Sequence, residues 1–291
     1  MKKVAAMNDL SGFGKCSLTA AIPVLSALGV QCCPIASAVL TNQTGYANYH
    51  CVDLSDMLPR YIEVWEKNNA HFDGIYSGFM MNSDEIDSFI DFVNHFYEKQ
   101  TFLLVDPVMG DDGRTYAIYS DELLNRMKVL SRKADLITPN LTEACLLADF
   151  SLDEAYASHT KEHLFKVAIE VGNRLRLLAE HEQDVVITGI KCKSDSIPYI
   201  YNLAICKDGI SENRSSYFDK SFSGTGDLFA SVVCGCKVNG MSTKASIELA
   251  SSFIYHSIED TVKDNIPGND GINFEKFIIE LIEGVRKYDR K

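Results

Sequence analysis

The sequence lacks the features that mark membrane, secreted and nucleic-acid-binding proteins. Its apolar runs are shorter than a membrane span, and the run at residues 4–7 is too short for a signal peptide. Lysine and arginine total 28 against 40 aspartate and glutamate residues, a net charge of −12, and no basic stripe offsets the repulsion of nucleic-acid phosphate. We therefore expect a cytoplasmic protein that binds neither membranes nor nucleic acids.

Cysteine spacing typical of metal or redox sites is also missing. The nine cysteines are scattered, apart from the adjacent Cys32 and Cys33, and no pair has C-x-x-C spacing. We expect reduced cysteines that act as small core residues. No repeat, low-complexity tract or linker rich in proline, glycine or serine divides the chain. We therefore predict a single domain over residues 1–291, although the length alone would allow two.

What the chain does contain is a repeated alternation of short apolar segments with longer amphipathic ones. This alternation predicts an α/β fold in which a mostly parallel central sheet carries helices on both faces. Two strand-like segments, 199–206 and 214–218, flank Lys207-Asp208-Gly209 and predict a small antiparallel hairpin near residues 199–218. The other predicted strands are 3–7, 30–39, 74–77, 101–106, 134–138 and 184–188, and the predicted helices are 17–28, 55–67, 84–98, 120–131, 142–148, 161–180, 227–238, 242–262 and 274–286.

In sheets of this kind ligands bind beyond the carboxyl ends of the strands, and five strand ends carry unusual residues. The first is the predicted loop at residues 8–14. There Asp9, Ser11 and two glycines suit contact with a ligand, although a tight strand–helix turn would also explain them. The following Gly14-Lys15 is not a Walker A motif, because that motif would need glycine in place of Asp9 and serine or threonine in place of Cys16.

The next three strand ends are polar, and each allows two interpretations. Residues 41–46 could be a surface turn or a flap over a ligand. Asp106 begins a segment with three carboxylates, which repel one another unless a cation lies among them. Such a segment suits magnesium, although an Asp-Gly turn with solvated charges is the alternative. Asn140 and Glu143 have the spacing of a helix capping box, and they could equally serve a metal or phosphate site.

The fifth strand end gives the most specific signal. Gly224 and Gly226 flank Thr225, and a helix is predicted to begin at Asp227. Backbone N–H groups at such a helix start form an anion site, and the helix dipole favours an ionised carboxylate in the first turn. An ionised Asp227 could accept the proton of an attacking hydroxyl while the amides hold a transferred phosphoryl group.

Taken together, the motifs resemble the ribokinase-like superfamily and, within it, the pyridoxal/pyridoxamine kinase family. The similarity extends over about residues 4–258, and the motifs match in order and spacing. They are TNQTGY (41–46), DPVMGD (106–111), TPN-x-x-E (138–143), VVIT (185–188) and GTGDLFA (224–230).

The resemblance implies an enzyme that uses ATP with Mg²⁺, and often a homodimer. It implies that Asp227 is the catalytic base, that Asp106 and Glu143 organise magnesium, and that a monovalent cation such as K⁺ binds near Asp111. It also places residues 265–271 beside the adenine pocket. The remaining implied or expected site residues are Gly224, Thr225 and Gly226 in the anion site, Asp111, Thr138, Asn140, Thr188 and Gly226 at the nucleotide, and Asp9, Ser11, Thr44 and Phe79 at the acceptor.

Two departures from the family leave the acceptor open. The loop that begins at Asp9 is similar to that of hydroxymethylpyrimidine kinases, and Phe79 lacks the hydroxyl of a tyrosine. The long polar segment 110–116 instead favours the pyridoxal kinases. Our hypothesis is ATP-dependent phosphorylation of the 5′-hydroxymethyl group of pyridoxal, pyridoxamine or pyridoxine, as in vitamin B6 salvage.

Three other functions are alternatives to this hypothesis. The first alternative is a hydroxymethylpyrimidine kinase of thiamine biosynthesis. A non-catalytic B6-binding protein is the second, and it would be expected to have lost Asp106, Glu143 or Asp227, all of which are present. A sugar kinase is disfavoured because few polar groups near the first strand could hold several hydroxyls.

Overall fold

One nine-stranded sheet forms the centre of the fold within residues 1–192 and 198–288, the part of the chain that the computed structural model describes. Two further short strands, β6 and β7, pair only with each other. The strands are β1 (Lys3–Ser11), β2 (Gln31–Leu40), β3 (Cys51–Asp53), β4 (Gly74–Ser77), β5 (Phe102–Val105), β6 (Gly110–Asp111), β7 (Arg114–Thr115), β8 (Leu136–Ile137), β9 (Asp184–Cys192), β10 (Tyr199–Cys206) and β11 (Gly209–Ser216).

The strand order across the sheet is β11-β10-β9-β8-β5-β4-β1-β2-β3. Neighbours from β9 to β2 pair in parallel, whereas β3, β10 and β11 pair antiparallel to their neighbours. The mostly parallel sheet and the antiparallel hairpin are therefore confirmed. The hairpin adds β10 and β11 to the main sheet beside β9. Its second strand begins at Gly209, earlier than predicted, because Gly209 already pairs with Cys206 across the turn.

Helices cover both faces of this sheet, as the alternation predicted. One face packs under α2, α3, α4, α5 and α7, with Phe89 and Phe92 at its core, and the other packs under α1, α8, α9 and α10 around Val232 and Phe253. Because both faces are covered, strands such as β5, with the sequence FLLV, are apolar throughout. The helices are α1 (Ser17–Ala27), α2 (Leu58–Lys67), α3 (Ser83–Phe96), α4 (Asp121–Arg132), α5 (Leu141–Leu147), α6 (Leu152–Ala155), α7 (Lys161–Leu178), α8 (Thr225–Val238), α9 (Thr243–Lys263) and α10 (Ile278–Tyr288).

No helix in the described part of the chain has the length and apolar character needed to cross a bilayer.

Strand β1 runs further than its apolar residues predict. It continues to Ser11, and its pairing with β2 shifts register between Asn8 and Leu10. Asn8, Asp9 and Ser11 therefore belong to a buried strand and not to the predicted loop. Their polar groups are hydrogen-bonded within the site described below, and these bonds make their burial in the strand possible.

Candidate active site

The sheet topology brings the predicted site residues to the carboxyl ends of the parallel strands, which together form one edge of the sheet. They lie along this edge in a defined order. Thr188 lies on β9, Thr138 follows β8, Asp106 follows β5, Phe79 follows β4, and Asp9 lies near the end of β1. Because these strands are neighbours in the order β9-β8-β5-β4-β1, the residues expected at a nucleotide and those expected at an acceptor occupy opposite halves of the same edge. The region where the two halves meet is next to β5 and β4.

The N-terminus of α8 is built for close approach of an anion. Gly224, the N-cap, has a φ of 79°, and a Cβ there would lie 1.9 Å from the carbonyl oxygen of Lys15, so only glycine fits. The first helical hydrogen bond runs from the N–H of Leu228 to the carbonyl of Gly224 at 2.9 Å. The N–H groups of Thr225, Gly226 and Asp227 therefore precede the helical hydrogen-bond pattern and are available to an anion such as a phosphoryl group.

The carboxylate of Asp227 is held at both oxygens by groups from the start of the chain. The N–H of Ser17 donates to Oδ2 at 2.8 Å, and the Nδ2 of Asn8 donates to Oδ1 at 3.0 Å. Burial raises the pKa of Asp227 to about 6, and the charge of Asp9 adds to this rise while the two hydrogen bonds oppose it. Such a group is mostly ionised at neutral pH and is a stronger base than an ordinary aspartate.

Asp106 faces the same helix start from the end of β5. It is buried, and the hydroxyl of Thr138 donates to its Oδ1 at 2.9 Å. Its Oδ2 lies 3.8 Å from the place where a Cβ on Gly226 would stand. Burial, with the charge of Asp227 as a second cause, raises the pKa of Asp106 to about 7. Asp106 and Asp227 thus form a pair of like charges beside the anion site.

Glu143 and Asn140 form the capping box that the sequence left open as one interpretation. The Asn140 side chain accepts from the N–H of Glu143 at 3.0 Å, and the Glu143 carboxylate accepts from the N–H of Asn140 at 2.8 Å. Glu143 also accepts from the N–H of Met109 at 3.0 Å, and the Asn140 amide donates to the carbonyl of Gly110 at 2.7 Å. Burial, with the charge of Asp106 added, raises the pKa of Glu143 well above its ordinary value. Both residues therefore fix the segment that follows Asp106.

The other carboxylates of that segment lie close to the ammonium group of a lysine. Asp111 and Asp112 are exposed, and the ammonium of Lys191 lies 2.7 Å from Asp112 and 3.9 Å from Asp111. Nearby, the N–H of Thr188 donates to the carbonyl of Pro139 at 2.9 Å, which joins β9 to the start of α5. The charge repulsion predicted for the three carboxylates is thus partly relieved by a lysine.

The donor groups suit a magnesium ion that arrives with a nucleotide. No set of three His, Cys, Asp or Glu side chains within residues 1–192 and 198–288 could hold a metal by itself. Magnesium usually binds through one or two carboxylates, phosphate oxygens and several waters. Asp106 and Glu143 offer two buried carboxyl groups. Burial, followed by the charge of Asp106, raises the pKa of Glu143, and a cation beside the two groups would stabilise their ionised forms.

The half of the edge where the acceptor is expected contains a second hydrogen-bonded carboxylate. Asp9 is buried and accepts from the hydroxyls of Ser11 at 2.7 Å and Ser17 at 2.6 Å. Phe79 is half-buried, and its N–H donates to the Oδ1 of Asn8 at 3.1 Å. Thr44 lies exposed in the loop that follows β2. The structure thus joins Asp9, Ser11 and Phe79 to Asp227 through shared partners, whereas Thr44 is placed on the surface loop.

That loop is anchored to the short segment Gly268–Asp270. The Nε2 of Gln43 donates to the carbonyl of Asn269 at 3.1 Å, the Nδ2 of Asn269 donates to the carbonyl of Gly45 at 2.8 Å, and the hydroxyl of Tyr46 donates to Asp270. The same segment accepts from the N–H of Ser223 at 2.9 Å. It therefore joins the loop at residues 41–46 to the segment that precedes Gly224, and its expected place beside an adenine pocket stays a prediction.

Three residues at the site were not singled out by the sequence. Asn8 could have been predicted as a site residue, because it is a polar residue next to Asp9 at the end of an apolar run. The sequence predicts Ser17 only as the first residue of a helix, and no local pattern predicts its φ of 52°. Lys191 follows Thr188 by three residues and gave no pattern of its own.

Comparison with known proteins finds relatives by sequence and by overall structure. Residues 14–270 match the family described as phosphomethylpyrimidine kinase. A Bacteroides thetaiotaomicron protein provisionally named phosphomethylpyrimidine kinase has been solved in two crystal forms. One is 35% identical with a TM-score of 0.88, covering 96% of this chain and 93% of that chain. The other, solved with pyridoxal, is 34% identical with a TM-score of 0.87, covering 96% and 95%.

Two more distant relatives extend the comparison. The pyridoxal kinase of Dictyostelium discoideum is 24% identical over 284 residues, which is 92% of this chain and 89% of that protein. A Saccharomyces cerevisiae protein provisionally named pyridoxal kinase is 27% identical over 221 residues, which is 70% of this chain and 64% of that protein. The match therefore spans less than two thirds of the yeast relative and most of the Dictyostelium one.

Proposed function

The chain belongs to the phosphomethylpyrimidine kinase family, and from this membership we propose that it uses ATP to phosphorylate the 5′-hydroxymethyl group of pyridoxal, pyridoxamine or pyridoxine. Such a reaction would serve vitamin B6 salvage. The observation that supports it most directly is the position of Asp227. Its carboxylate is held by hydrogen bonds from Asn8 and Ser17 in the first turn of α8. It lies between Asp106, on the half of the sheet edge expected to bind the nucleotide, and Asp9, on the half expected to bind the acceptor.

The arrangement supplies each function that phosphoryl transfer requires. Asp227 accepts the proton of the acceptor hydroxyl as that oxygen attacks the γ-phosphorus, the bond from the γ-phosphorus to the bridging oxygen breaks, and ADP leaves. The N–H groups of Thr225, Gly226 and Asp227 stabilise the negative charge on the transferred group, and Gly224 caps the helix that presents them. Magnesium bound with ATP would supply further positive charge at the phosphates, and Asp106 is the carboxylate that would hold it. Glu143 contributes by holding the segment after Asp106 through backbone N–H groups.

The remaining roles follow the two halves of the sheet edge. We assign Asp9, Ser11, Thr44 and Phe79 to the acceptor, with Asp9 able to accept a hydrogen bond from a protonated ring nitrogen or an amine. The residues assigned to the nucleotide are Asp111, Thr138, Asn140, Thr188 and Gly226, with a monovalent cation such as K⁺ placed near Asp111.

Two properties of the whole protein belong to the same proposal. We propose a cytoplasmic location, which nine free cysteines support because reduced thiols are typical of that compartment. We also propose a homodimer, by similarity to the family, and light scattering would measure it directly.

A hydroxymethylpyrimidine kinase is the second candidate. It is favoured by the family match and by the buried Asp9 carboxylate with its two serine hydroxyls, because an aminopyrimidine offers N–H donors to such a group. The two candidates share one site and one chemistry, so they differ only in the ring that the acceptor half holds.

An acceptor screen separates these possibilities. The purified protein is given Mg²⁺ and ATP with each B6 vitamer, hydroxymethylpyrimidine or ribose, and ADP release and product mass are measured. We expect the highest kcat/KM with a B6 vitamer and no turnover after the metal is chelated. A large preference for the pyrimidine would replace the proposed acceptor, and tight pyridoxal binding without ADP release would indicate a binding protein.

A further inference from the structure

Asn8 is a fully buried amide that touches both halves of the site. Its Oδ1 accepts from the N–H groups of Asp9 and Phe79, both at 3.1 Å, and its Nδ2 donates to Oδ1 of Asp227 at 3.0 Å. One side chain therefore contacts a segment of the acceptor half and the carboxylate that we propose as the base.

The orientation of this amide is fixed by its partners. A backbone N–H can only donate, so the atom that faces Asp9 and Phe79 must be the amide oxygen, and the NH₂ group must face Asp227. Rotating the amide by half a turn would break all three bonds and place its oxygen against a carboxylate. Together with the N–H of Ser17 on the other oxygen, Asn8 fixes the plane of the Asp227 carboxylate.

Gly78 shows that the surrounding chain is shaped around this amide. The φ of Gly78 is outside the left-handed region, so its backbone conformation would accept a side chain. A Cβ at residue 78 would, however, lie 2.2 Å from Nδ2 and 2.8 Å from Cγ of Asn8. The glycine is therefore required by the position of the Asn8 side chain, which could not stay in place beside an alanine.

We propose that Asn8 is a positioning residue for phosphoryl transfer. It orients the Asp227 carboxylate toward the acceptor hydroxyl and ties that orientation to the backbone of Phe79 on the acceptor side. The inference rests on the proposed kinase function and adds to it a residue that acts through the base. A general base must lie within hydrogen-bond reach of the proton it accepts, and small misplacements lower the rate steeply.

Two variants disturb this contact in different ways. Asn8→Asp keeps the shape and the acceptor for both backbone N–H groups but replaces the donor to Asp227 with a carboxyl oxygen. Gly78→Ala leaves Asn8 in the sequence and displaces its side chain. For each we expect kcat to fall roughly 10- to 100-fold, in line with the cost of a misplaced catalytic group, while the KM for ATP changes little. In the double variant the losses should be clearly less than multiplicative, because both act on one contact.

A matched control is available at the other end of α8. The Nδ2 of Asn239 donates to the carbonyl of Leu28 at 2.8 Å, so Asn239→Asp removes a comparable side-chain donor far from the site. We expect that variant to keep the kcat of the wild type. Thermal melts of all variants separate lost folding from lost turnover.

The outcomes distinguish this inference from the proposed function. If the wild-type chain turns over no acceptor, the kinase proposal itself fails. If the wild type is active and both Asn8→Asp and Gly78→Ala keep its kcat, the positioning role of Asn8 is overturned. Should Asn8→Asp not fold, Gly78→Ala decides alone, because normal turnover in that variant contradicts the inference and reduced kcat at an unchanged melting temperature supports it.

Discussion

At the scale of single residues, the proposed reaction depends on how the environment of Asp227 changes an ordinary carboxyl group. Burial raises its pKa to about 6, and donors from Asn8 and Ser17 keep it oriented. A base of this strength is still ionised near neutral pH, and the helix N-terminus beside it favours the charged form.

Replacing that carboxylate tests the assignment. Asp227→Asn removes the proton acceptor and keeps the shape of the side chain, so we expect kcat to fall by roughly 10²–10⁴-fold, the usual contribution of a general base. ATP affinity, measured by calorimetry, should change far less, because the amides of residues 225–227 are retained. Near-normal turnover of the variant would contradict the role of Asp227.

The sequence identifies some site residues and hides others for a physical reason. Asp227 and Gly224 can be predicted as site residues because glycines next to a predicted helix start form a local pattern. Asn8 and Ser17 contact Asp227 across 219 and 210 residues of sequence, and no local pattern reports such a contact. Glu143 matched a capping box and a ligand site equally well, and only the structure shows that its carboxylate binds backbone N–H groups.

At the scale of elements, the segment Gly268–Asp270 connects two parts of the site that are distant in sequence. It binds the loop at residues 41–46 through Gln43, Gly45 and Tyr46, and it accepts from Ser223 just before the anion site. Because the loop at residues 41–46 is otherwise polar and partly exposed, we expect these contacts to determine how well it is ordered over an acceptor.

Loss of one anchor should therefore affect the acceptor more than the nucleotide. Tyr46→Phe removes the hydroxyl that donates to Asp270, and we expect the KM for the B6 vitamer to rise roughly fivefold, since one hydrogen bond contributes about 1 kcal/mol net. The KM for ATP should change less than this, because the side chains of Thr138, Asn140 and Thr188, which we assign to the nucleotide, make no hydrogen bond with this hydroxyl. Tyr288→Phe is the control, since it removes an exposed hydroxyl bonded to the carbonyl of Gly240. Equal acceptor KM values in the wild type and Tyr46→Phe would rule out this anchoring role.

Elements with strong local periodicity were predicted, and elements that depend on distant contacts were not. The helices and parallel strands follow the apolar pattern, which burial on one or both faces imposes. The small β6–β7 hairpin has two residues in each strand and is held by Asn140 on the carbonyl of Gly110 and by Thr142 on the N–H of Gly113. Its turn at Asp112-Gly113 is the Asp-Gly turn that the sequence offered as one interpretation, whereas the pairing of such short strands depends on contacts with α5 that no local pattern encodes.

At the scale of the whole molecule, acidic groups dominate inside as well as outside. The net charge is −12, and several carboxyls are buried without a basic partner within hydrogen-bonding distance in the described part of the chain. Burial raises the pKa of Asp106 and of Glu85, each to about 7, and that of Glu143 well above its ordinary value. The folded chain therefore binds more protons than the unfolded chain near neutral pH, and its stability should fall as the pH rises.

Glu85 allows this pH effect to be measured apart from the reaction site. It is fully buried in the first turn of α3, where it accepts from the N–H of Met81 at 2.6 Å. Burial raises its pKa from 4.5 to about 7, with the charge of Asp53 adding to the rise. The protonated form is the one that the fold prefers, so the contribution of Glu85 to stability is fully present below about pH 4.5 and is lost as the pH rises through about 7.

Glu85→Gln should remove this dependence, because an amide stays neutral at every pH. The free energy of unfolding is measured by urea denaturation for the variant and the wild type. We expect the difference, variant minus wild type, to increase by about 2–3 kcal/mol from pH 5 to pH 8, since each pKa unit corresponds to about 1.4 kcal/mol. Glu122→Gln, at an exposed position in the first turn of α4, is the control and should show little change over the same range. A constant difference between Glu85→Gln and the wild type from pH 5 to pH 8 would mean that the buried carboxyl does not take up a proton on folding. The decrease in stability with rising pH would then have to come from the carboxyl groups at the sheet edge. In that case a bound magnesium–nucleotide complex should reverse the decrease.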